Sequence, residues 1–421
     1  MSDSLSRRDF SRRAALAGLG VGIGRAAPDS FAIAEERMTA AVGSEQAGRL
    51  AAAEFARQRD GIYLNHAASS PLPKRTSDAL RRYLDDRERL FHLYESGTQD
   101  YALPILQAKV GKLLGVPAEL VGFVPSTTEA MSGALNGIDW RVGDNVVVPA
   151  NDFPGVVYPC LHLQRRGITV RQVPVDGHAD LDRVLSAIDG RTRAVAISWV
   201  HWLTGHRIDV ARLGAACRAA NALSIVDAIQ GVGGVPVDVG AAQVDLFVAG
   251  SYKWLMGIPG TAAIYTSPRF LAEVVPDRAG HAGMKTSVYD APSIDWLPGA
   301  SRFHVGGPIN GALIALEQSV DLLSEIGVPR IQQHVSGLLD TLRTRGEEGG
   351  LRFNSDLSPA HRSTFVSVTT GDATRDDRVV KALVARKIVV GRRGPGIRVA
   401  PHLHNSVGDV ERFVEEVARV A

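Results

Sequence analysis

Cysteine is scarce in this sequence of 421 residues, which contains two, Cys160 and Cys217. Two cysteines allow neither a disulfide framework nor a cysteine-rich zinc site. An excess of one charge sign is also missing, because 47 Lys and Arg are balanced by 45 Asp and Glu. Binding to nucleic acid would need clustered, excess basic residues. We therefore expect no nucleic-acid partner.

The amino terminus has a pattern of its own. Arg7 and Arg8 precede a weakly apolar stretch over residues 14–24, which is too short to span a membrane, and the small residues of "AIA" follow before Glu35. This layout is typical of a secretion signal of the twin-arginine type. We expect residues 1–34 to direct export to the periplasm or the outside of the cell, with no membrane association after signal removal. The alternative is a basic tail on a cytoplasmic protein.

Short runs of β-branched residues alternate with helical patterns through most of the chain. The strand-like runs are NVVVP, ITVRQVPV, RAVAISWV, LSIVDA, VDLFVAG and TAAIYT. Continuous buried strands that alternate with helices indicate an α/β fold with a largely parallel, doubly wound central sheet. Ligands of such sheets bind at the carboxyl ends of the strands.

The pattern changes after residue 307. Two long helical patterns are followed by short strands and a final amphipathic helix, which indicates a smaller α+β domain at the carboxyl terminus. We therefore predict four parts along the chain: a signal (1–34), an amino-terminal arm (35–75), a large ligand-binding domain (76–307) and a small domain (308–421).

Three polar features follow predicted strands. Asp227 closes LSIV, and Lys253 comes directly after VDLFVAG, in a markedly apolar stretch. Thr127 and Thr128 lie at the start of a predicted helix, where hydroxyls, free N–H groups and the helix dipole can bind phosphate. Each feature alone is common in proteins that bind no ligand. An aldehyde-bearing pyridine phosphate would use all three, through a Schiff base, a ring-nitrogen partner and a phosphate site.

Longer motifs around these residues resemble those of a known family. The stretches VDAIQGVGGVPVDV and DLFVAGSYKWLMGIPGTAAIY, flanked by IYLNHAASSPLP and GIRVAPHLHNSVGDVERFVEEV, resemble the class V aminotransferases. These fold-type I enzymes depend on pyridoxal 5′-phosphate and include cysteine desulfurases, kynureninases and isopenicillin N epimerase-like proteins. The resemblance covers about residues 60 to 420. It implies a small-molecule amino acid substrate and a homodimer.

The resemblance also implies a role for each matching residue. Lys253 would carry the cofactor aldimine and then move the Cα proton of the substrate, because a desolvated pocket keeps its amine nucleophilic. Asp227 would pair with the pyridinium nitrogen, and Arg398 would bind the substrate carboxylate, unless it makes a surface ion pair. The remaining cofactor contacts would be Gln230 at the ring oxygen, Phe153 stacked on the ring, and Thr127, Thr128, Ser251 and Tyr252 at the phosphate. The alternative for Phe153 is a plain core aromatic.

Two departures from the family pattern concern the reaction and the assembly. Desulfurases of the family carry a catalytic cysteine shortly before the carboxyl-terminal motif, whereas here no cysteine follows Cys217. We therefore expect the chain not to be a cysteine desulfurase. In the segment FHVGGPIN, through which one subunit would complete the phosphate site of its partner, Gly307 replaces a customary Thr.

The residues do not select a single reaction. Cα deprotonation by Lys253 can lead to transamination, epimerisation or elimination. We expect an aminotransferase-type enzyme, with an isopenicillin N epimerase-like racemase or a C–S or C–C lyase as the alternative. A non-catalytic cofactor-binding module is the alternative outside the enzymes.

Overall fold

The computed structural model describes residues 44–56, 60–89, 103–175, 180–285 and 293–420. This part of the chain begins with helix α1 (Ser44–Glu54), strand β1 (Ile62–Tyr63) and helices α2 (Lys74–Glu88) and α3 (Leu103–Leu114). The signal predicted over residues 1–34 lies outside the described residues and stays a prediction.

A seven-stranded sheet forms the centre of the fold. Its spatial order is β2-β8-β7-β6-β5-β3-β4, and its strands are β2 (Val121–Val124), β3 (Asn145–Pro149), β4 (Thr169–Val173), β5 (Thr192–Ser198), β6 (Leu223–Asp227), β7 (Leu246–Gly250) and β8 (Ala262–Thr266). Five neighbouring strands are mutually parallel: β4, β3, β5, β6 and β7. Strand β8 runs antiparallel to both of its neighbours, β7 and β2. The predicted fold class, α/β with a largely parallel central sheet, is confirmed.

Helices connect these strands and cover the sheet. They are α4 (Thr127–Gly137), α5 (Pro154–His162), α6 (Leu181–Ser186), α7 (Val210–Ala219), α8 (Val239–Ala242) and α9 (Pro268–Glu273). Every residue of β3, β6, β7 and β8 is buried. That burial explains the continuous apolar runs of the sequence, because a strand covered on both faces shows no alternation.

A four-stranded antiparallel sheet forms the carboxyl-terminal part. It follows helices α10 (Asn310–Ile326) and α11 (Val328–Glu348), and its order is β12-β13-β10-β9. Its strands are β9 (Arg352–Phe353), β10 (Val366–Thr369), β12 (Gly391–Arg393) and β13 (Gly396–Val399). Helix α12 (Ala373–Ala385), strand β11 (Ile388–Val389) and the final helix α13 (Val407–Arg419) complete this α+β region.

Contacts join the predicted arm and the predicted domains. Strand β1 pairs in parallel with β11, which ties the arm to the carboxyl-terminal region. Helix α2 packs on α10, where the Thr76 and Ser319 hydroxyls lie 2.9 Å apart and Arg75 forms an ion pair with Glu325 at 2.7 Å. The boundary between residues 307 and 308 stays a prediction. Among the helices of the described ranges, none combines the length and apolarity that crossing a membrane requires.

Gly205 offers a test of how the two sheets are packed. Its φ is +72°, and a Cβ added there would lie 2.3 Å from the carbonyl oxygen of Phe365. We expect Gly205→Ala to lower the free energy of unfolding by about 1–3 kcal/mol, since it adds both strain and overlap. The matched control is Gly337→Ala on α11, where a Cβ meets nothing within 4 Å, and which should be neutral or stabilising by up to ~1 kcal/mol. Denaturant unfolding of both variants measures the difference, and equal midpoints would contradict this account of the packing.

Candidate functional site

Asp227 lies at the carboxyl end of β6, in the middle of the large sheet. Its side chain is 2% exposed, and its Oδ1 accepts a hydrogen bond of 2.9 Å from the Ile229 N–H. Burial raises the pKa of Asp227 to about 6, although the Ile229 N–H and the positive charge of Lys253 act in the opposite direction. A buried carboxylate in this state is stabilised by a nearby cation, such as a protonated ring nitrogen.

Lys253 occupies the turn that follows β7. The Met256 N–H donates to the Lys253 carbonyl at 2.9 Å, and the Gly257 N–H donates to the Ser251 carbonyl at 2.7 Å. The lysine is 7% exposed. Burial lowers the pKa of its amine to about 8, while Asp227 raises it and the charges of Arg398 and Arg393 lower it further. The amine therefore reaches its nucleophilic, neutral form at a lower pH than a lysine in water.

Aromatic rings flank the Lys253 amine. Its Nζ lies 5.6 Å from the ring centroid of Phe153 and 5.8 Å from that of Tyr252. The ring of Trp202 packs edge-on against Phe153, with 5.7 Å between the centroids. Phe153 thus presents an aromatic surface beside the lysine, as its expected stacking role requires.

Asp152 is a buried carboxylate at this site that was not among the predicted residues. It accepts hydrogen bonds from the Phe153 N–H and from the hydroxyl and N–H of Ser198. It therefore fixes Phe153 to the end of β5. Its charge also raises the pKa of Asp227, and burial raises its own pKa. The sequence carried the same kind of signal for Asp152 as for Asp227, namely a carboxylate at or shortly after the end of a buried strand.

The start of α4 is the candidate phosphate site. Ser126 caps the helix by accepting from the Glu129 N–H at 3.2 Å, Thr127 is buried and Thr128 is exposed. A Cβ added to Gly155 would lie 2.5 Å from the Thr128 Oγ1, so the glycine is what lets the start of α5 approach this hydroxyl.

Ser251 and Tyr252, also predicted at the phosphate, have other contacts. The Ser251 hydroxyl donates to the Ile258 carbonyl, so its hydrogen would have to leave that partner to bind a phosphate oxygen. The Tyr252 carbonyl accepts from the Ser70 N–H at 2.9 Å, and burial raises the pKa of the Tyr252 hydroxyl. The hydroxyl of a neutral tyrosine can donate to an anion.

Gln230 is held by both ends of its amide. Its Nε2 donates to the Ala67 carbonyl at 2.9 Å, and its Oε1 accepts from the Trp254 Nε1 at 3.0 Å. An amide nitrogen carries two hydrogens, so one is left for the ring oxygen expected from the resemblance.

Arg398, on β13, is a buried cation. It is 3% exposed, its Nη1 donates to the Trp202 carbonyl at 2.9 Å, and its Cζ lies 5.6 Å from the Phe365 ring centroid. Among the residues that the structure describes, its Nε has no hydrogen-bond partner and its guanidinium has no carboxylate in an ion pair. Burial and the nearby Arg393 lower its pKa to about 10. A buried guanidinium with an unsatisfied N–H is suited to a carboxylate ligand.

Taken together, these residues fit an aldehyde-bearing pyridine phosphate. The desolvated amine of Lys253 lies beside the Phe153 ring, the buried carboxylate of Asp227 ends a neighbouring strand, and the start of α4 lies against the start of α5. The individual roles of the nine predicted residues stay predictions, as do the homodimer and the contact between subunits at Gly307.

Known proteins resemble this chain over most of its length. The family model described as aminotransferase class-V matches residues 62–413. A probable cysteine desulfurase of Methanothermobacter thermautotrophicus is 26% identical over 86% of this chain and 95% of its own length. The kynureninase of Deinococcus radiodurans is 30% identical over 87% of this chain and 92% of its own length. The family match identifies the cofactor as pyridoxal 5′-phosphate.

A solved structure similar in fold is the cystine C–S lyase C-DES in complex with its product, cysteine persulfide. It has a TM-score of 0.78 and 21% sequence identity, and the match covers 86% of this chain and 99% of C-DES. The expectation that the chain is not a cysteine desulfurase is wrong, because its relatives include proteins of that name. That expectation depended on the absence of one loop cysteine, whereas the similarity to these relatives extends over most of the chain.

The lowered pKa of Lys253 predicts how cofactor attachment depends on pH. When the apo chain is incubated with pyridoxal 5′-phosphate and reduced with borohydride, we expect the initial rate of labelling at Lys253 to rise through about pH 8, because the neutral amine is the nucleophile. Asp227→Asn removes a charge that raises this pKa and should move the midpoint to lower pH. Arg398→Gln removes a charge that lowers it and should move the midpoint to higher pH.

Mass spectrometry of the labelled peptides gives the measurement. The control is Lys285→Gln, at an exposed lysine that pairs with Asp295, and it should leave the midpoint unchanged. Labelling confined to peptides without Lys253 would refute Lys253 as the site of cofactor attachment. So would a shift of the midpoint in the same direction by Asp227→Asn and Arg398→Gln.

Proposed function

The chain belongs to the aminotransferase class-V family, and on that premise we propose that it is a C–S lyase acting on a cysteine-like amino acid. The observation that carries the proposal is the Lys253 amine, buried and of lowered pKa, with its pKa influenced by both Asp227 and Arg398. The names of the relatives support breakage at the carbon–sulfur bond.

Each residue has a task in this reaction. The Arg398 guanidinium binds the substrate carboxylate, which orients the Cα–H bond. The neutral Lys253 Nζ accepts the Cα proton. The Asp227 carboxylate would pair with the protonated ring nitrogen of the cofactor, which when bound would supply an electron-withdrawing ring that stabilises negative charge at Cα. Departure of the sulfur from Cβ then completes the elimination.

The overall reaction balances without an oxidant or a reductant. A cysteine S-conjugate and water give a thiol, pyruvate and ammonium. The proton that Lys253 removes from Cα is available to the leaving sulfur or to solvent. With cystine the leaving group is cysteine persulfide, and with cysteine it is hydrogen sulfide.

Neither cysteine of the chain is in a state suited to accept sulfur. Cys160 and Cys217 are both fully buried. Burial raises the pKa of both thiols, that of Cys217 to about 12, whereas a sulfur acceptor must be an accessible thiolate. In this proposal the sulfur therefore leaves on the departing thiol or, with cystine, on the departing persulfide.

Transamination is the second candidate. The description of the matching family supports it, and it begins with the same proton transfer from Cα to Lys253. It differs in its products, because a keto acid that keeps the whole side chain would be released and the amino group would pass to a second keto acid.

The products formed from sulfur amino acids test the proposal. We expect S-alkyl cysteine and cystine to give pyruvate, ammonium and a thiol or persulfide in equal amounts. Chromatography of the keto acids, with thiol determination, provides the measurement. The double variant Cys160→Ala, Cys217→Ala should react like the wild type once its folding is verified. A keto acid that still contains the sulfur, or a racemised substrate with no sulfur released, would refute a lyase.

Arg398 provides a second test. We expect Arg398→Lys to lower kcat/KM by roughly 10–100-fold, because a charged hydrogen bond contributes about 1.5–3 kcal/mol. The loss should appear mainly as a higher KM, because Arg398 would bind the substrate carboxylate in the ground state as well as in the transition state. Cofactor absorption and the unfolding midpoint serve as controls for the site and the fold. An unchanged KM would remove Arg398 from substrate binding.

A further inference from the structure

A second group of ionisable side chains joins the two sheets. His206 lies on the segment between β5 and α7, and Asp356 and His361 lie on the loop between β9 and β10. Each offers one ligand atom, and the three atoms lie within 4.8 Å of one another. His206 is 5% exposed, and the other two are half-buried. We propose that His206, Asp356 and His361 bind a zinc ion, with water as the fourth ligand.

The donor set favours this class of metal. Two imidazole nitrogens and one carboxylate oxygen match Zn²⁺ sites that have three protein ligands and an open position. Mg²⁺ and Ca²⁺ prefer sites made entirely of oxygen, so they fit this mixed set poorly.

His361 already has the tautomer that a ligand needs. Its Nδ1 lies 3.0 Å from the Arg207 carbonyl oxygen, and a carbonyl can only accept, so Nδ1 carries the hydrogen. The lone pair is therefore on Nε2. A carbonyl that holds the other ring nitrogen is the usual partner of a metal-binding histidine.

The two histidine rings are stacked. Their centroids lie 4.4 Å apart and their planes differ by 16°. An imidazole binds a metal through a lone pair in the plane of its ring, so two near-parallel rings do not both point at one ion. In the proposed site the His361 ring stays held by the Arg207 carbonyl, and the His206 ring turns about its Cβ–Cγ bond until its lone pair meets the ion. The Asp356 carboxylate supplies negative charge beside them, and its Oδ1 accepts a hydrogen bond of 2.8 Å from the Ser358 N–H.

The backbone around the three ligands is tied across the two sheets. The Arg207 N–H donates to the His361 carbonyl at 2.8 Å, and its Nη2 donates to the Pro359 and Ala360 carbonyls at 3.0 and 3.1 Å. The Ser363 hydroxyl donates to the Gly205 carbonyl at 2.6 Å. A supported backbone is what a metal site requires of its surroundings.

The three ligands open onto a groove of about 730 Å³. Four further carboxylates line it, from Asp180, Asp182, Asp209 and Asp238. Three of them cap helices α6, α7 and α8. Arg207 and Arg212 also line the groove, but the aspartates, with Asp356 included, outnumber these two cations, and the excess negative charge favours the entry of a cation. Lys253, Asp227 and Arg398 do not line this groove. The proposed metal is therefore distinct from the cofactor site and acts as a clamp between the sheets.

Metal titration of the full chain, loaded with cofactor and freed of metal by a chelator, tests the site. We expect ~1 equivalent of Zn²⁺ to bind per chain by calorimetry, as one four-coordinate site requires. His206→Ala, His361→Ala and Asp356→Asn should each weaken binding by at least ~10-fold. The control is His162→Ala, an exposed histidine on α5, which should bind as the wild type does.

Two further measurements keep the test independent of variant folding. Zn²⁺ should raise the thermal midpoint of the wild type and leave that of His361→Ala unchanged. Co²⁺ bound to the wild type should show the visible d–d bands of nitrogen and oxygen coordination. No binding by the wild type, unchanged affinity in all three ligand variants, or loss of binding in His162→Ala would overturn the proposal.

Discussion

Burial of the Lys253 amine is the constraint on which the rest of the site depends. Its pKa falls from 10.5 to about 8, which corresponds to roughly 3 kcal/mol against the charged form. The charge of Asp227 opposes this shift, and the pKa of Asp227 is itself raised to about 6. Near neutral pH the two groups therefore carry opposite charges in a buried environment, and each is within a few kcal/mol of its neutral form. Such a pair can pass into other charge states without large rearrangement.

The position of the amine is fixed from outside its own turn. Trp254, the next residue, is fully buried; its Nε1 donates to Gln230, and its carbonyl accepts from the His402 Nε2 at 3.1 Å. His402 belongs to the loop after β13, and Gln230 also contacts the carbonyl of Ala67 in the arm. Three distant parts of the sequence thus hold the residue beside the lysine, so the lysine is located by tertiary structure.

Much of the fold could be predicted because a strand that is buried on both faces of the sheet appears in the sequence as a continuous apolar run. The runs NVVVP, LSIVDA and VDLFVAG correspond to β3, β6 and β7, and Asp227 and Lys253 follow from the ends of two of these strands. The antiparallel direction of β8 could not be predicted, since TAAIYT is equally apolar in either direction. The pairing of Asp152 with Ser198 and the proximity of His206 to His361 depend on which strands and loops become neighbours. The desulfurase expectation failed because a single loop residue was given more weight than the similarity of the whole chain.

One short segment connects the proposed substrate site with the proposed metal site. Between β5 and α7, the Trp202 carbonyl accepts from the Arg398 guanidinium, while His206, four residues later, belongs to the proposed zinc site. Gly205 between them is held by Ser363 and adopts a φ of +72°. A metal that fixes His206 against the β9–β10 loop would reduce the freedom of the segment that positions Arg398. Because binding free energies are reciprocal, a substrate carboxylate that orders Arg398 would in turn favour the metal-bound form of this segment.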